Sequence, residues 1–209
     1  MNVSFLVGSA IVVMGLAMAF YGVVVGGGRE RAALTAVRTA LDRWSAAHGL
    51  GSPSPLADPA GAAPDDLPHR MERVLLARSG RWSGGALTVV AFVESDEQAE
   101  HHFLLVMWEI PGAAAGLPEC SNGFRRGRRR WARGCASALG LDEAATLAVE
   151  QAAGEVDGSL HASDDRLAVL HYGLPGSALR HGRPDTGRLT ALLDSGERLA
   201  LELVRHARA

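Results

Sequence analysis

Six of the chain's arginines fall within nine positions, Arg125 to Arg133, in the run RRGRRRWAR. Residues 119–134 hold six arginines against Glu119 alone, a local charge of +5, while the whole chain is at −2. On a helix, Arg125, Arg126, Arg129, Arg130 and Arg133 share one face. Phe124, Trp131, Cys135, Ala138 and Leu139 share the other, and Arg128 falls among them, where its stem can snorkel. That is the profile of an interfacial helix, with arginines toward lipid headgroups and Trp131 toward the acyl boundary. Near an anionic leaflet each basic residue contributes about 1 kcal/mol. The same cations suit an acidic protein partner. The plainer reading is a surface helix with its apolar face on a core and solvated arginines. A run of arginines around one Trp is weak support for nucleic acid without a recognisable fold.

A second group is Glu94, Asp96, Glu97, Glu100, His101 and His102. A helical turn would bring Glu97, Glu100 and His101 together as oxygen and nitrogen ligands. However, the group lies between two strand-like runs, where a turn is polar simply because it faces water. His161 and His171 can be placed facing each other across a hairpin near Asp164 and Asp165, an arrangement that only geometry could turn into an acid–base pair. Cys120 and Cys135 match no zinc or C-x-x-C spacing. They are expected as thiols in a cytoplasmic body and as a disulfide in an exported one. The chain contains no P-loop, GxGxxG after a strand, GxSxG elbow or HExxH. The sequence therefore names no catalytic residue, no metal site and no cofactor.

The elements that must position these groups follow from periodicity. Glu30 to His48 is helical, with Leu34, Val37, Leu41 and Trp44 at 3-4-3 spacing, a seam that can pair with a second copy or pack on its own domain. Gly49 to Pro68 holds five of the nine prolines and is expected to be a linker. Met71 to Ala77 is expected to be a short helix. Ala86 to Glu94 and His102 to Ile110 are rich in β-branched and aromatic residues and flank a polar turn, so they predict an antiparallel hairpin. Leu141 to Ala153 is a helix with Asp142 near its start. A second hairpin is expected from Gly158 to Ala162 and Arg166 to Tyr172. A helix from Asp185 or Thr186 to Asp194, stopped at Gly196, and a final strand over Leu199 to Leu203 complete the body. The order predicts an α+β domain with a mainly antiparallel sheet and two or three helices.

Ahead of all this lies Val3 to Val25, 23 residues without a charge. As a helix it reaches about 34 Å, enough to cross a hydrocarbon core of about 30 Å. The rival is a cleaved signal peptide, for which Ala17-Met18-Ala19 resembles a cleavage site. No basic residue precedes the run, and it stays apolar well past Ala19. Arg29, Arg31, Arg38 and Arg43 follow it, which by the positive-inside rule leaves the body in the cytoplasm. Gly8, Gly15, Ala19 and Gly22 lie on a small-residue stripe that lets two helices approach closely, so the span can form a homodimer.

The expected organisation is a single-pass membrane protein: anchor (1–28), juxtamembrane helix (29–48), linker (49–68) and soluble α+β domain (69–209). All 21 basic residues are arginine, which with abundant Ala and Gly suits a GC-rich bacterial genome. The expected function is an interaction module, contacting anionic lipid or an acidic protein through Arg125, Arg126, Arg129, Arg130, Trp131 and Arg133. The alternatives are an extracytoplasmic disulfide-bearing domain on the same anchor and an enzyme without a short motif.

Overall fold

The structure is a computed structural model; it describes residues 28, 30–62, 67–97, 99–110, 117–122, 125–173, 179–180, 183–184 and 186–207. Val3–Val25, with Gly8, Gly15, Ala19 and Gly22, lies outside the described residues. Among the described residues no helix is long and apolar enough to cross a membrane.

Seven strands form one antiparallel sheet: β1 (Ser54–Pro55), β2 (Arg73–Arg81), β3 (Ala86–Ser95), β4 (Glu100–Glu109), β5 (Leu117–Asn122), β6 (Ser159–Asp164) and β7 (Arg166–Tyr172). Their order across the sheet is β1-β2-β3-β4-β7-β6-β5. Two residues long, β1 is a minor edge, and the other six strands carry the sheet. A separate two-stranded ladder joins β8 (Leu179–Arg180) to β9 (Arg183–Pro184). The helices are α1 (30–47), α2 (Pro59–Ala62), α3 (Arg125–Ala138), α4 (Glu143–Glu155) and α5 (Thr186–Ala207). Four of these are long, α2 being a single turn. The architecture is α+β.

The central hairpin forms where its composition demands. β3 and β4 pair from Leu87↔Trp108 to Ser95↔Glu100, and β-branched and aromatic side chains fill both faces. One face presents Val89, Ala91, Leu104, Val106 and Trp108 to the main core, which the helices supply with Leu41, Trp44, Trp131, Val149, Leu192 and Leu203. The opposite face carries a smaller cluster of Val90, Phe92, Phe103, Leu105, Met107, Ala168 and Leu170, against which Leu67 and Met71 pack. The second hairpin, β6–β7, turns at Asp165 as its polar triplet predicts. Asp142 caps α4, its Oδ1 accepting from the Ala145 N–H at 2.7 Å.

Two of the expected elements take another form. The stretch Met71–Ala77 is not a helix: residues 73–81 form β2, laddered to β3 from Arg73↔Val93 to Arg81↔Ala86 with a bulge between Val74 and Leu76. Pairing with a buried neighbour outweighs the local preference. Leu199–Leu203 is not a strand either, because α5 runs unbroken for 22 residues. Leu189, Leu192, Leu193, Leu199, Ala200, Leu203 and Val204 are all buried, the 3-4 spacing of one helical face. Gly196 does not stop this helix. A Cβ built on it would lie 2.1 Å from the Trp108 ring, so glycine lets α5 sit directly on the indole.

α1 is built into the body. Ala33, Val37, Ala40, Leu41 and Trp44 are buried, and the Trp44 indole N–H donates to Asp194 Oδ1 of α5 at 2.8 Å. Beside it, the His48 ring stacks on Trp44 at 4.3 Å and pairs with buried Glu197 at 3.1 Å. Of the two roles open to this seam, it packs on its own domain. The stretch 49–68 contains β1, paired to β2 through Ser54↔Ser79, together with buried Pro53 and the turn α2.

Candidate functional site

α3 sits against β5 at one edge of the sheet and packs on α4, which in turn packs on α5. Trp131, Ala132, Cys135 and Ala136 point into the core, whereas Ala138 is exposed. Trp131 is only 7% exposed, so it is a packing residue of this fold and presents no ring to a surface. Arg128 differs from the snorkelling arginine expected of it. It is buried, and its guanidinium donates to the Ala153 carbonyl at 3.1 Å and the Gly158 carbonyl at 2.9 Å. It thus answers carbonyls at the end of α4 and the approach to β6, which burial would otherwise leave costly. Gly158 is required there: its φ is +151°, and a Cβ would stand 2.7 Å from the Leu170 carbonyl oxygen.

The remaining arginines of α3 face solvent. Arg133 pairs with Glu150 of α4, and that hydrogen bond raises the Arg133 pKa. Arg126, Arg129 and Arg130 are exposed, and their guanidinium groups make no ion pair among the described residues. Arg125 opens α3, but its side chain lies outside the described residues. Leu147, 66% exposed, stands beside Arg129 and Arg133 in the shallow groove between α3 and α4. Arg31, Arg38 and Arg43 of α1 are exposed as well, but spread over more than three turns.

The register shows where this stripe lies. β4 starts at Glu100, and His102 contacts Glu30 in the first turn of α1. β7 ends beside the same strand start, Tyr172 opposite Phe103, and β6 begins with Ser159 opposite Leu170. Arg128 reaches Gly158, the residue before β6. The first turns of α1 and α3 therefore lie at one end of the sheet, toward opposite edges. At this end Glu94 pairs with His69, Asp96 with His101, Glu100 with Arg73 and Asp157 with Arg188, while Glu97 is exposed. Of the α3 cations, Arg126, Arg129 and Arg130 have no ion pair among the described residues.

The acidic-histidine group does not converge as a helical turn would make it. Glu97 is exposed, and His101 contacts Asp96 at 2.7 Å. Strand alternation splits the rest between the two faces. On one face, Glu94 accepts from the Arg70 backbone N–H at 3.1 Å and contacts His69 Nδ1 at 2.6 Å. The His69 ring stacks on Phe103, and its Nε2 lies 3.2 Å from the Tyr172 hydroxyl. On the other, Glu100 and His102 meet Glu30 and Arg73. Both glutamates hold their carboxyls below the ordinary value. For Glu30 the His102 hydrogen bond is the main cause, opposed by burial and reinforced by Arg73; for Glu94 it is the Arg70 N–H, then His69. Glu30, His69, Arg73 and Tyr172 carry no local motif and lie 25 or more residues from the side chains they meet, so only the fold reveals them.

His161 and His171 do not face each other. His161 is opposite Ala168, three residues from His171 on the same strand, so the two rings leave opposite faces of the sheet. His171 is buried, with Nδ1 3.2 Å from the Gly173 carbonyl and Nε2 3.7 Å from Asp157. Cys135 is buried, and the Cys120 side chain lies outside the described residues.

Searches against protein families, curated proteins and solved structures return no match to this chain.

Proposed function

We propose that the body is an interaction module held at the cytoplasmic face of a membrane by the apolar N-terminal stretch, and that Arg126, Arg129 and Arg130 dock it on anionic lipid headgroups. The observation that carries this reading is the set of three exposed arginines within five positions, without an ion pair among the described residues, at an end of the sheet where Glu94, Asp96, Glu100 and Asp157 already have partners. That end is also where α1, the helix following the apolar stretch, begins. Three cations at about 1 kcal/mol each supply about 3 kcal/mol, roughly a hundredfold in partitioning. Tethering raises the effective concentration further. With Trp131 committed to the core, the attraction is chiefly electrostatic and falls with salt.

Residues 28–209 contain every buried core residue named above and suit a vesicle co-sedimentation assay. Binding to vesicles containing phosphatidylserine is expected at low ionic strength, with little to pure phosphatidylcholine. The triple variant Arg126→Gln, Arg129→Gln, Arg130→Gln is expected to lose about two orders of magnitude in partitioning. Unchanged binding by that variant, or none by the parent at low salt, would remove lipid as the partner and leave an acidic protein surface for these cations.

A further inference from the structure

Glu30, Glu100 and His102 come from two elements that the core holds in place, the first turn of α1 and the start of β4. Glu100 and His102 are two apart on a strand, so their side chains leave the same face, and α1 lies across that face. One ligand atom from each of the three residues falls within 4.8 Å of the others. The closest pair, Glu30 Oε2 and His102 Nε2, is 3.2 Å apart. Donors about 2.1 Å from a shared tetrahedral ion stand about 3.4 Å apart, so that pair already has ligand spacing. Glu100 is more than half exposed and can close the rest by changing rotamer.

Arg73 now bridges the two carboxylates, at 3.4 Å to Glu30 and 3.0 Å to Glu100. Its single charge balances one of the two carboxylates, whereas a divalent ion balances both. The contact to Glu30 is long, and both the arginine and Glu100 are about half exposed, so Arg73 can swing into solvent at small cost. From this geometry we infer that Glu30, Glu100 and His102 form a binding site for a divalent transition-metal ion, which displaces Arg73 and pins the first turn of α1 to β4. One imidazole nitrogen and two carboxylate oxygens suit zinc or manganese, and three protein ligands leave a coordination position for water. The site lies just after the apolar stretch, so an ion there fixes the body to the chain that leads out of it.

The test is titration of metal-free full-length protein in detergent micelles with Zn²⁺, followed by calorimetry, with circular dichroism to verify each variant's fold. One ion per chain is expected. Glu30→Gln and His102→Ala are each expected to weaken binding at least tenfold. Arg73→Gln, which removes the competing cation, is expected to strengthen it several-fold, an effect that loss of folding cannot imitate. Absence of stoichiometric binding overturns the assignment. So does binding that persists in Glu30→Gln and His102→Ala, or that Arg73→Gln leaves unchanged or weakens.

Discussion

Replacing Trp44 by alanine separates a helix that belongs to the domain from one that merely leads to it. The side chain is 3% exposed, and its indole N–H is bonded to Asp194 at 2.8 Å. Truncating a buried Trp to Ala costs about 3–5 kcal/mol through lost transfer energy and the cavity left behind. Asp194 is exposed, so it regains water and adds no orphan penalty. A domain of this size has about 5–15 kcal/mol of stability in all. With a urea slope of about 2 kcal/mol/M, Trp44→Ala should lower the unfolding midpoint of residues 28–209 by about 2 M. Trp44→Phe keeps most of the ring and loses the donor, and should cost about 1–2 kcal/mol. Circular dichroism in urea measures both. A midpoint shift below about 0.3 M for Trp44→Ala, a small fraction of the truncation cost, would refute the reasoning: α1 would then be a tether lying loosely on the surface.

Two further outcomes follow from the packing and the charges. Gly196→Ala is expected to destabilise by about 1–2 kcal/mol, because overpacking against buried Trp108 exceeds the gain of about 1 kcal/mol in helix propensity; thermal unfolding measures it, with the neighbouring Ser195→Ala as a near-neutral control. Glu30 and Glu94 have pKa values depressed in the folded state, so their contribution is present above the unfolded carboxylate value of about 4.3 and is lost as pH falls through the lower folded values. Urea midpoints at pH 7, 5 and 3 should therefore fall less steeply for Glu30→Gln, Glu94→Gln than for the parent.

Where neighbouring residues decide the structure, the sequence was readable. β3 and β4 announce themselves by composition, β6 and β7 by the polar triplet between them, α4 by Asp142, and α3 by its alternating apolar and arginine faces. The failures share a cause. β2 becomes a strand because β3 is its neighbour, and Gly196 reads as a helix stop until Trp108 appears beneath it. The edge strand β5 was missed because LPECSN has no alternating pattern of its own. The same applies to the candidate sites: the arginine stripe is local and visible in the chain, whereas Glu30 meets His102 only through the packing of α1 on β4. Trp131 and Arg128 were placed on the correct helix, yet whether that face meets lipid or core is decided by α4 and β6, which lie elsewhere in the chain.

The central claim is that α3 lies against the membrane carrying the protein. The most direct measurement uses full-length protein in nanodiscs, with one fluorophore at Gln151→Cys, the exposed position beside Arg129, in a Cys120→Ser, Cys135→Ala background. Energy transfer to acceptors in the lipid headgroups reports its distance from the bilayer. High transfer is expected with anionic lipid, falling in neutral lipid, in high salt, and when Arg126, Arg129 and Arg130 become glutamine. Equal transfer in anionic and neutral discs, untouched by the arginine substitutions, would contradict the account.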